Sequence, residues 1–467
     1  MIDFKKELNK FTFLQVASDL AAESSVELYL VGGFVRDIIL QRTKTEMDFL
    51  VVGSGIDFAT LLAKKLHIKN VTTYKNFGTA HFNFNGFDLE FVGARKESYN
   101  RNSRNPIVED GSFEEDIERR DFTVNALAVS LNKEDFGKLI DRYNGFEDIE
   151  KKIIKTPLNP MDTFNDDPLR ILRAFRFVAQ LDFDVDDSVL LAAEKLAERL
   201  KIISIERITD EFLKILAGLN PSKALILLHK VNVLKVIFPE LHNLAGTEQI
   251  KEYHHKDVFF HTMEVLDNIC PNTKNVWLRF AALMHDVAKP ITKKFDEKIG
   301  WTFHGHEEIG ARMMKPIFKR FKFPFSQLEY VQKLIRLHLR PIALVDEIVT
   351  DSAVRRFIVK AGEDLDDLIT LCRADITSKN QAKVSRYLQN YDLVMQKVKE
   401  VEEKDKLRAF QSPVRGDEIM KICNIPPGKT VGLIKSAIED AILDGIIPNT
   451  YEAAFEYLMK IKDDFLN

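Results

Sequence analysis

GGFVRDIILQRTKTEMD, residues 32 to 48, joins a glycine pair to two acidic side chains on the strand that follows. Val26 to Val31 (VELYLV) is an apolar run of strand length, and Gly32-Gly33 ends it where a backbone turns sharply or comes very close to a ligand. Phe34 to Leu40 reads as a helix whose free N-terminal amides and positive dipole end favour an anion. Glu46 and Asp48 open the next strand, Met47 to Val52, where a period of two puts both on one face. Carboxylates placed side by side repel unless a cation lies between them, and Mg²⁺ is the economical occupant. The unit therefore reads as a site for a nucleoside triphosphate and its metal ions. A glycine pair after a strand is also common in ordinary α/β turns, and a surface strand can open on two acids without a ligand. The surrounding motifs decide between these readings.

At 467 residues the chain has room for about three domains with their own cores. An apolar fraction of 45% and a charged fraction of 30% describe a soluble globular protein. The formal net charge of -4 supplies no global attraction to nucleic acid, so any RNA contact needs local basic surface. Cys270, Cys372 and Cys423 are widely spaced with no CxxC pair, which argues against a disulfide framework or thiolate metal site and fits a reducing cytoplasm. The N-terminus lacks an apolar signal core, and no stretch of membrane-spanning length is free of charge, so no membrane partner is expected. Oligomeric state has no sequence signal.

Strand-like runs (Val26 to Val31, Asp48 to Val52, His81 to Phe84, Asp88 to Val92) alternate with helical ones such as Phe58 to Leu66 up to about Asp148. After Asp167 strand signals nearly vanish, and Leu169 to Phe177 and Val189 to Leu200 have helical apolar spacing. The fold class is α+β, a mixed-sheet head followed by an all-α body. Boundaries are set at 1–148 for the head, 149–245 for a helical neck, 246–400 for a histidine-rich middle domain and 401–467 for a helical tail. Polar residues 97 to 115, with YNRNSRNP inside, read as a mobile loop beside the sheet.

GGFVRD (Gly32 to Asp37) before the acidic pair, ERRDFTVNALA (Glu118 to Ala128), DRYNGFED (Asp141 to Asp148) and DDPLRILRAFRF (Asp166 to Phe177) occur in the order of the class II tRNA nucleotidyltransferase and bacterial poly(A) polymerase family, which the chain resembles over nearly all of residues 26 to 180. The resemblance implies a nucleotidyltransferase head, a base-reading and RNA-binding neck, and a tail that helps hold tRNA. Glu46, Asp48 and, from a neighbouring strand, Glu90 would be the catalytic carboxylates, with Glu46 and Asp48 holding Mg²⁺. Gly32, Gly33, Arg36, Asp37, Arg95, Arg119, Arg120, Asp121, Asp167, Arg170 and Arg173 would bind the nucleotide. The family's DxD pair begins with Asp where this chain has Glu46, and its EDxxR motif begins with Glu where this chain has Asp166. A side chain longer by one methylene still ligates Mg²⁺, but the ion's octahedral geometry makes rate or metal preference sensitive to the change.

Each motif also has its own chemistry. Arg119 and Arg120 can pair with triphosphate oxygens while Asp121 accepts from a ribose hydroxyl, although the trio also reads as a charged helix start. Asp167 and Arg170, at i and i+3, are expected on one helix face. There a carboxylate beside a guanidinium complements cytosine and adenine and refuses uracil and guanine, where an unpaired buried group costs ~1–3 kcal/mol. An ordinary helical ion pair worth ~0.3–0.5 kcal/mol is the alternative.

Seven of the eleven histidines fall between His254 and His338. His261, His285-Asp286, His306, His338 and Asp375 follow the order of an HD phosphohydrolase, and resemble the HD domain fused to some CCA-adding enzymes. VWLRFAALMHDVAKP reads as a helix ending at Pro290 that points His285 and Asp286 inward. Imidazole and carboxylate donors without thiolate suit Mn²⁺, Fe, Ni²⁺ or Mg²⁺, and ions ~3.5–4 Å apart sharing Asp286 would activate water against a phosphate ester that Lys289 meets. His254, His255 and His304 fit the pattern less well. FKRFKFPF (318–325) reads either as an RNA contact or as a helix end with a solvated basic face. PPGKTVG (426–432) is not a P-loop, because Cys423 stands where the first glycine is required.

The expected activity is template-independent addition of CMP and AMP, from CTP and ATP, to the 3′ end of tRNA, with a phosphohydrolase in the HD domain. Within the family, a poly(A) polymerase or a CC-only or A-only adder remains open. So does an HD phosphohydrolase whose head only binds RNA, and a non-catalytic tRNA-binding protein.

Overall fold

In the computed structural model the apolar run after Ser25 becomes β1 (Glu27–Val31), with Leu28 to Val31 all buried. The structure describes residues 2–75, 78–98, 107–247, 257–298, 300–346, 351–378, 380–405 and 412–466. These belong to two compact units, Met1–His242 and Asn243–Asn467.

The first unit holds β1, β2 (Glu46–Val52), β3 (Thr72–Tyr74), β4 (Thr79–Phe84), β5 (Phe87–Gly93), β6 (Arg95–Ser98), β7 (Ile107–Asp110), β8 (Leu127–Ser130) and β9 (Leu139–Asp141). Seven of them form one sheet in the order β3-β4-β5-β2-β1-β8-β9, in which β2 and β5 are parallel and the other pairs antiparallel. Helix Gly55–Lys65, capped by Ser54, makes the crossover that parallel pairing requires. Under it Phe49 stacks on Phe91 at 4.4 Å and Phe91 on Phe82 at 5.3 Å, which fixes the register of the three central strands.

The segment expected as a mobile loop is partly regular. β6 and β7 pair antiparallel, with Glu97 opposite Val108, and Phe113–Glu118 is a helix closed by a Ser112–Glu115 capping box. Residues 99–106, the whole of YNRNSRNP, lie outside the described residues.

The neck is mostly helical, as expected, but it is not all-α: Ile153–Ile154 and Asp184–Val185 form a short parallel pair. Leu169–Leu181 buries Leu169, Ile171, Leu172, Ala174, Phe175, Val178 and Leu181, which leaves Arg170, Arg173 and Arg176 at three-residue spacing on the remaining face. The boundary at 148 falls inside helix Gly145–Glu150.

In the second unit, helices Val258–Ile269, Val276–Met284, His306–Phe321, Leu328–Leu337, Asp351–Ala361 and Leu365–Ala374 precede Gln381–Asp405, which runs through the boundary set at 400. Helices Gly416–Cys423, Lys429–Leu443 and Tyr451–Leu466 share a small core of Ile419, Ile434, Ile438 and Leu458. PPGKTVG starts the second of these helices. FKRFKFPF is a helix end: Phe318, Phe321 and Phe323 are buried and Phe325 is exposed. Among the described residues no helix is long and apolar enough to cross a membrane. All three cysteines are free and buried.

Candidate functional site

Strand register sets the carboxylates of the head. Val31, which precedes the glycine pair, lies opposite Asp48 across β1 and β2; Asp48 lies opposite Glu90, and Glu46 opposite Asp88, across β2 and β5. Met47 is fully buried, so Glu46 and Asp48 project from the other face together. Gly32 has φ 71°, and a Cβ there would sit 3.2 Å from Asp48 Oδ2 and 3.3 Å from Arg120 Nη1. Bare backbone, an acid and a guanidinium thus meet at one point. The Gly33–Ile39 helix behind them has only 7 residues, so Arg120 and Lys44 supply more of the attraction for an anion than its dipole does.

Burial raises the Asp48 carboxyl above its ordinary pKa, against the pull of Arg120 and Lys44 and with help from Glu46. Burial and the Asp48 charge raise Glu90 as well. Acids crowded this way gain most from a divalent cation. Glu46 and Glu90 are both exposed, and Glu46 is held by Lys44 at 3.0 Å. Among the described residues, groups of three or more donor atoms within 4.8 Å of one another occur only in the second unit, so the head carboxylates share a face without converging to that spacing.

Gly32→Ala is expected to lower nucleotide addition at least tenfold, because the methyl pushes on Asp48 and Arg120. It should also cost about 1 kcal/mol or more of stability, because alanine is strained at this φ. Steady-state kinetics and urea unfolding of the variant check both parts, and unchanged kinetics would remove Gly32 from the site.

The basic cluster is more internally committed than the sequence implied. Arg36 and Asp37 are buried; Arg36 Nε and Nη2 grip the Asp37 oxygens at 3.0 and 3.1 Å and Nη1 reaches Asn125 Oδ1 at 2.7 Å. They therefore brace the glycine turn from inside, with Arg36 Nη2 3.5 Å from where a Cβ of Gly33 would sit. Arg119 and Arg120 follow the end of helix Phe113–Glu118, not a helix start, and share buried Asp116, which Arg119 Nε meets at 3.1 Å and Arg120 Nη2 at 3.1 Å. Asp121 accepts from Phe122 N at 2.9 Å, Asn125 Nδ2 at 3.2 Å and Arg173 Nε at 2.7 Å, so its oxygens are already occupied where a ribose hydroxyl was expected. Arg95, at the start of β6, is half-buried.

The shared helix face of Asp167 and Arg170 is corrected. Asp167 is extended backbone ending helix Pro160–Asp166, and the next helix opens only at Leu169, after Pro168. A turn with Arg170 N 3.0 Å from Asp167 O keeps the two adjacent. Asp167 Oδ2 accepts from Arg207 Nη2 at 2.9 Å, and Arg170 Nη2 donates to the Arg119 carbonyl at 2.8 Å. The guanidinium thereby ties the base-reading segment to the RRD motif.

Arg173→Ala should cost about 1–3 kcal/mol, the low end for a buried pair because Arg173 is 34% exposed while Asp121 is 8%. Burial opposes ionisation of Asp121, but Arg173, Asn125 and Arg170 hold its carboxyl below the usual range. A depressed carboxyl stabilises the fold above the ordinary value and ceases to do so as pH falls through the lower folded one. Urea unfolding at pH 7 and pH 2 measures this, and the Arg173→Ala penalty should shrink at the lower pH.

The second unit assembles the histidine set as the sequence ordered it. His261 projects from Val258–Ile269, His285 and His338 end the Val276–Met284 and Leu328–Leu337 helices, and His306 opens His306–Phe321. Asp375 ends Leu365–Ala374. The helix stops at Met284 rather than at Pro290; Pro290 lies in the first turn of the next short helix, Lys289–Thr292, where its missing N–H costs nothing.

Every imidazole is anchored through Nδ1: to Thr377 Oγ1 at 2.9 Å (His261), Ala282 O at 2.7 Å (His285), Phe303 O at 2.8 Å (His306) and Ile335 O at 2.7 Å (His338). This leaves Nε2 toward the centre, the orientation a ligating histidine needs. Asp286 Oδ2 lies 3.2 Å from His285 Nε2 and 3.5 Å from His261 Nε2, its Oδ1 3.3 Å from His306 Nε2, and Asp375 Oδ1 2.9 Å from His261 Nε2. Two sets, His261-His285-Asp286 and Asp286-His306-His338, bring their donor atoms within 4.8 Å and share Asp286. His285 Nε2, His306 Nε2 and Asp286 Oδ1 are buried without a hydrogen-bond partner, a costly arrangement that divalent cations would satisfy, and Asp286 Oδ2 meets the Lys289 ammonium. Burial opposes charge on His285, yet Asp286 and Asp375 raise it to about 10; burial and the His285 charge push His338 down to about 4.

Lys289 meets Asp286 Oδ2 at 2.6 Å, so the cation expected to face a phosphate is poised on the shared ligand. His304 is exposed in a turn, and His254 and His255 lie outside the described residues. Sequence reasoning missed Asn125, Asp116, Lys44, Arg207 and Thr377. Asn125 carried a signal, a lone amide inside the apolar run VNALAV, whereas Thr377 and Arg207 are recruited from distant segments.

Residues 28–155 match the poly A polymerase head domain family, 182–244 the family described as a probable RNA and SrmB-binding site of polymerase A, and 253–379 the HD domain family. The A-adding tRNA nucleotidyltransferase of Deinococcus radiodurans is 30% identical over 353 residues, covering 73% of this chain and 78% of that one. The multifunctional CCA protein of Stenotrophomonas maltophilia is 32% identical over 376 residues, covering 75% and 86%. A solved structure described as a tRNA-processing enzyme in an apo form aligns with TM-score 0.59 and 25% identity over 89% of this chain and 95% of that one. Head, neck and HD matches follow one another as the motifs did, and by its likeness to relatives that span most of its length the chain belongs to the tRNA nucleotidyltransferase and poly(A) polymerase family.

Proposed function

We propose that this chain adds CMP and AMP, from CTP and ATP, to the 3′ end of tRNA, and that its HD centre hydrolyses phosphate esters. The observation that carries the first part is the junction of Gly32, Asp48 and Arg120, with Glu90 one strand away. In the step, a terminal RNA hydroxyl oxygen bonds to the α-phosphorus, the bond to the β-phosphate oxygen breaks, and pyrophosphate leaves. Mg²⁺, when bound, would supply the charge that activates the attacking oxygen and stabilises the leaving one. Asp48 and Glu90 hold that charge in place, Gly32 lets the triphosphate approach the backbone, and Arg120 and Lys44 face its anionic oxygens. Arg36, Asp37 and Asn125 brace the turn, and Asp167 with Arg170 reads the base edge from the head of the neck helix.

The clustered donors around Asp286 support a divalent metal in the HD centre, with Mn, Fe, Ni and Mg all compatible with nitrogen and oxygen ligands. Three free cysteines fit a cytoplasmic location. Labelled CTP and ATP offered with tRNAs ending at the discriminator, at C and at CC test the reading: stepwise growth by C, C and A is expected. Because the Deinococcus radiodurans relative is an A-adding enzyme, growth only of the CC-ending tRNA, and only with ATP, would reassign the chain to A addition.

A further inference from the structure

Between the ligand Asp286 and the ligand His306 the chain inserts a two-stranded hairpin, Lys294–Asp296 with Gly300–Thr302. The residue that follows its second strand, Phe303, is fastened to the centre. Lys289, bonded to Asp286, lies 5.6 Å from the Phe303 ring, and the Phe303 carbonyl bonds His306 Nδ1. Phe295 and Trp301 are register partners, so both side chains emerge on one face, where their rings meet edge to face at 5.0 Å. Lys293 lies 4.2 Å from the Trp301 ring centre. Phe295 is 47% exposed and Trp301 half-buried. A two-stranded ribbon gains little stability from an aromatic pair that keeps part of its surface in water. The same rings interleaved with lysines are what holds single-stranded nucleic acid, since every base has a face to stack and every phosphate a charge to meet.

We propose that this hairpin is a nucleobase platform for the HD centre, with Trp301 as the principal stacking residue and Lys293 as the cation beside it. Among the phosphate esters the centre takes, the platform selects those with a base beside the phosphate over phosphomonoesters without one. The inference rests on the phosphohydrolase reading above and names what that site accepts. Trp301 acts by positioning and takes no part in bond cleavage.

The chain has two tryptophans, and the other, Trp277, packs against Phe280, Phe318 and Phe323. In a Trp277→Phe background, Trp301 fluorescence should be quenched saturably by a short RNA ending in a 3′-phosphate and left unchanged by β-glycerophosphate. With Mn²⁺ present, Trp301→Ala should raise KM for the RNA substrate about tenfold or more with kcat little changed, and leave β-glycerophosphate hydrolysis as in the parent. Trp301→Phe should recover most of the loss. Equal effects of Trp301→Ala on both substrates, or equal quenching by both, would overturn the platform. If neither ester is hydrolysed by the parent but RNA still quenches Trp301, the phosphohydrolase reading fails and the platform stands. Should Trp277→Phe disturb folding, the same titration read as the difference between the parent and Trp301→Phe serves instead.

Discussion

Asp48→Asn is expected to lower nucleotide addition by about 10³-fold, the loss of several kcal/mol of metal-borne charge stabilisation, while leaving HD-centre hydrolysis intact. The substitution keeps the shape and removes the charge, so backbone disturbance at Gly32 is not the cause. The same change should stabilise the metal-free protein. Burial holds Asp48 above its ordinary pKa, and Glu90 is raised by burial and by Asp48, so both acids are ionised at pH 7 only at a cost to the fold. A raised carboxyl disfavours folding as pH climbs from the unfolded value through the folded one; below that window the variant and the parent should melt alike. At pH 7 without metal, Asp48→Asn should melt a few degrees higher, on the order of 2–4 °C for ~1 kcal/mol in a unit of this size. Melting curves with EDTA and initial rates with Mg²⁺ supply the two readings. A variant that keeps its activity would move the metal site away from β2.

The residues legible in the sequence are those whose roles follow from short-range pattern. Period-two alternation put Glu46 and Asp48 on one face, and the structure seats buried Met47 between them. Apolar runs found β1, β2, β4 and β5 to within a few residues, because buried strands are written as contiguous side chains. The pairing of β2 with β5, which sets Glu90 beside Asp48, comes from a crossover and the Phe49–Phe91–Phe82 stack, so it could only be anticipated from the family resemblance.

Helix termini were misread where polar residues end one element and open another. Pro168 breaks the helix that was to carry Asp167 and Arg170 together, and Met284 ends a helix expected to reach Pro290. In both cases the site gains from the break: Asp167 is free to meet Arg207, and His285 and Asp286 turn inward as a pair. The arginines of the first unit show the other limit. A sequence shows how many guanidinium groups a motif has, but not that Asp116, Asp121, Asp37 and Asn125 already engage Arg119, Arg173 and Arg36, or that Arg120, held on Asp116 through Nη2, brings its Nη1 to the Gly32 junction.

His285→Ala should abolish phosphohydrolase activity and weaken metal binding at least 100-fold while nucleotide addition continues, the reverse of Asp48→Asn. Its protonation makes the prediction sharper. Burial opposes the imidazolium, but Asp286 and Asp375 raise His285 to about 10, so the metal-free protein carries a proton there at pH 7. A ligating imidazole must give that proton up. Metal binding near pH 7 should therefore release about one proton from His285, measurable by calorimetry in buffers of different ionisation enthalpy, and His285→Ala should release about one fewer. The pH slopes then oppose each other. A raised histidine stabilises the metal-free unit fully below its ordinary value, ~6.5, and that contribution is lost as pH rises through about 10. Over the same interval metal affinity climbs, because the proton that competes for Nε2 becomes easier to remove. EDTA-treated protein should thus melt lower at pH 9 than at pH 7, while the metal-loaded protein gains in the difference between the two. Equal proton release by parent and variant would mean that His285 faces a charge other than a metal ion, and that Asp286 is held by the histidines and Lys289 alone.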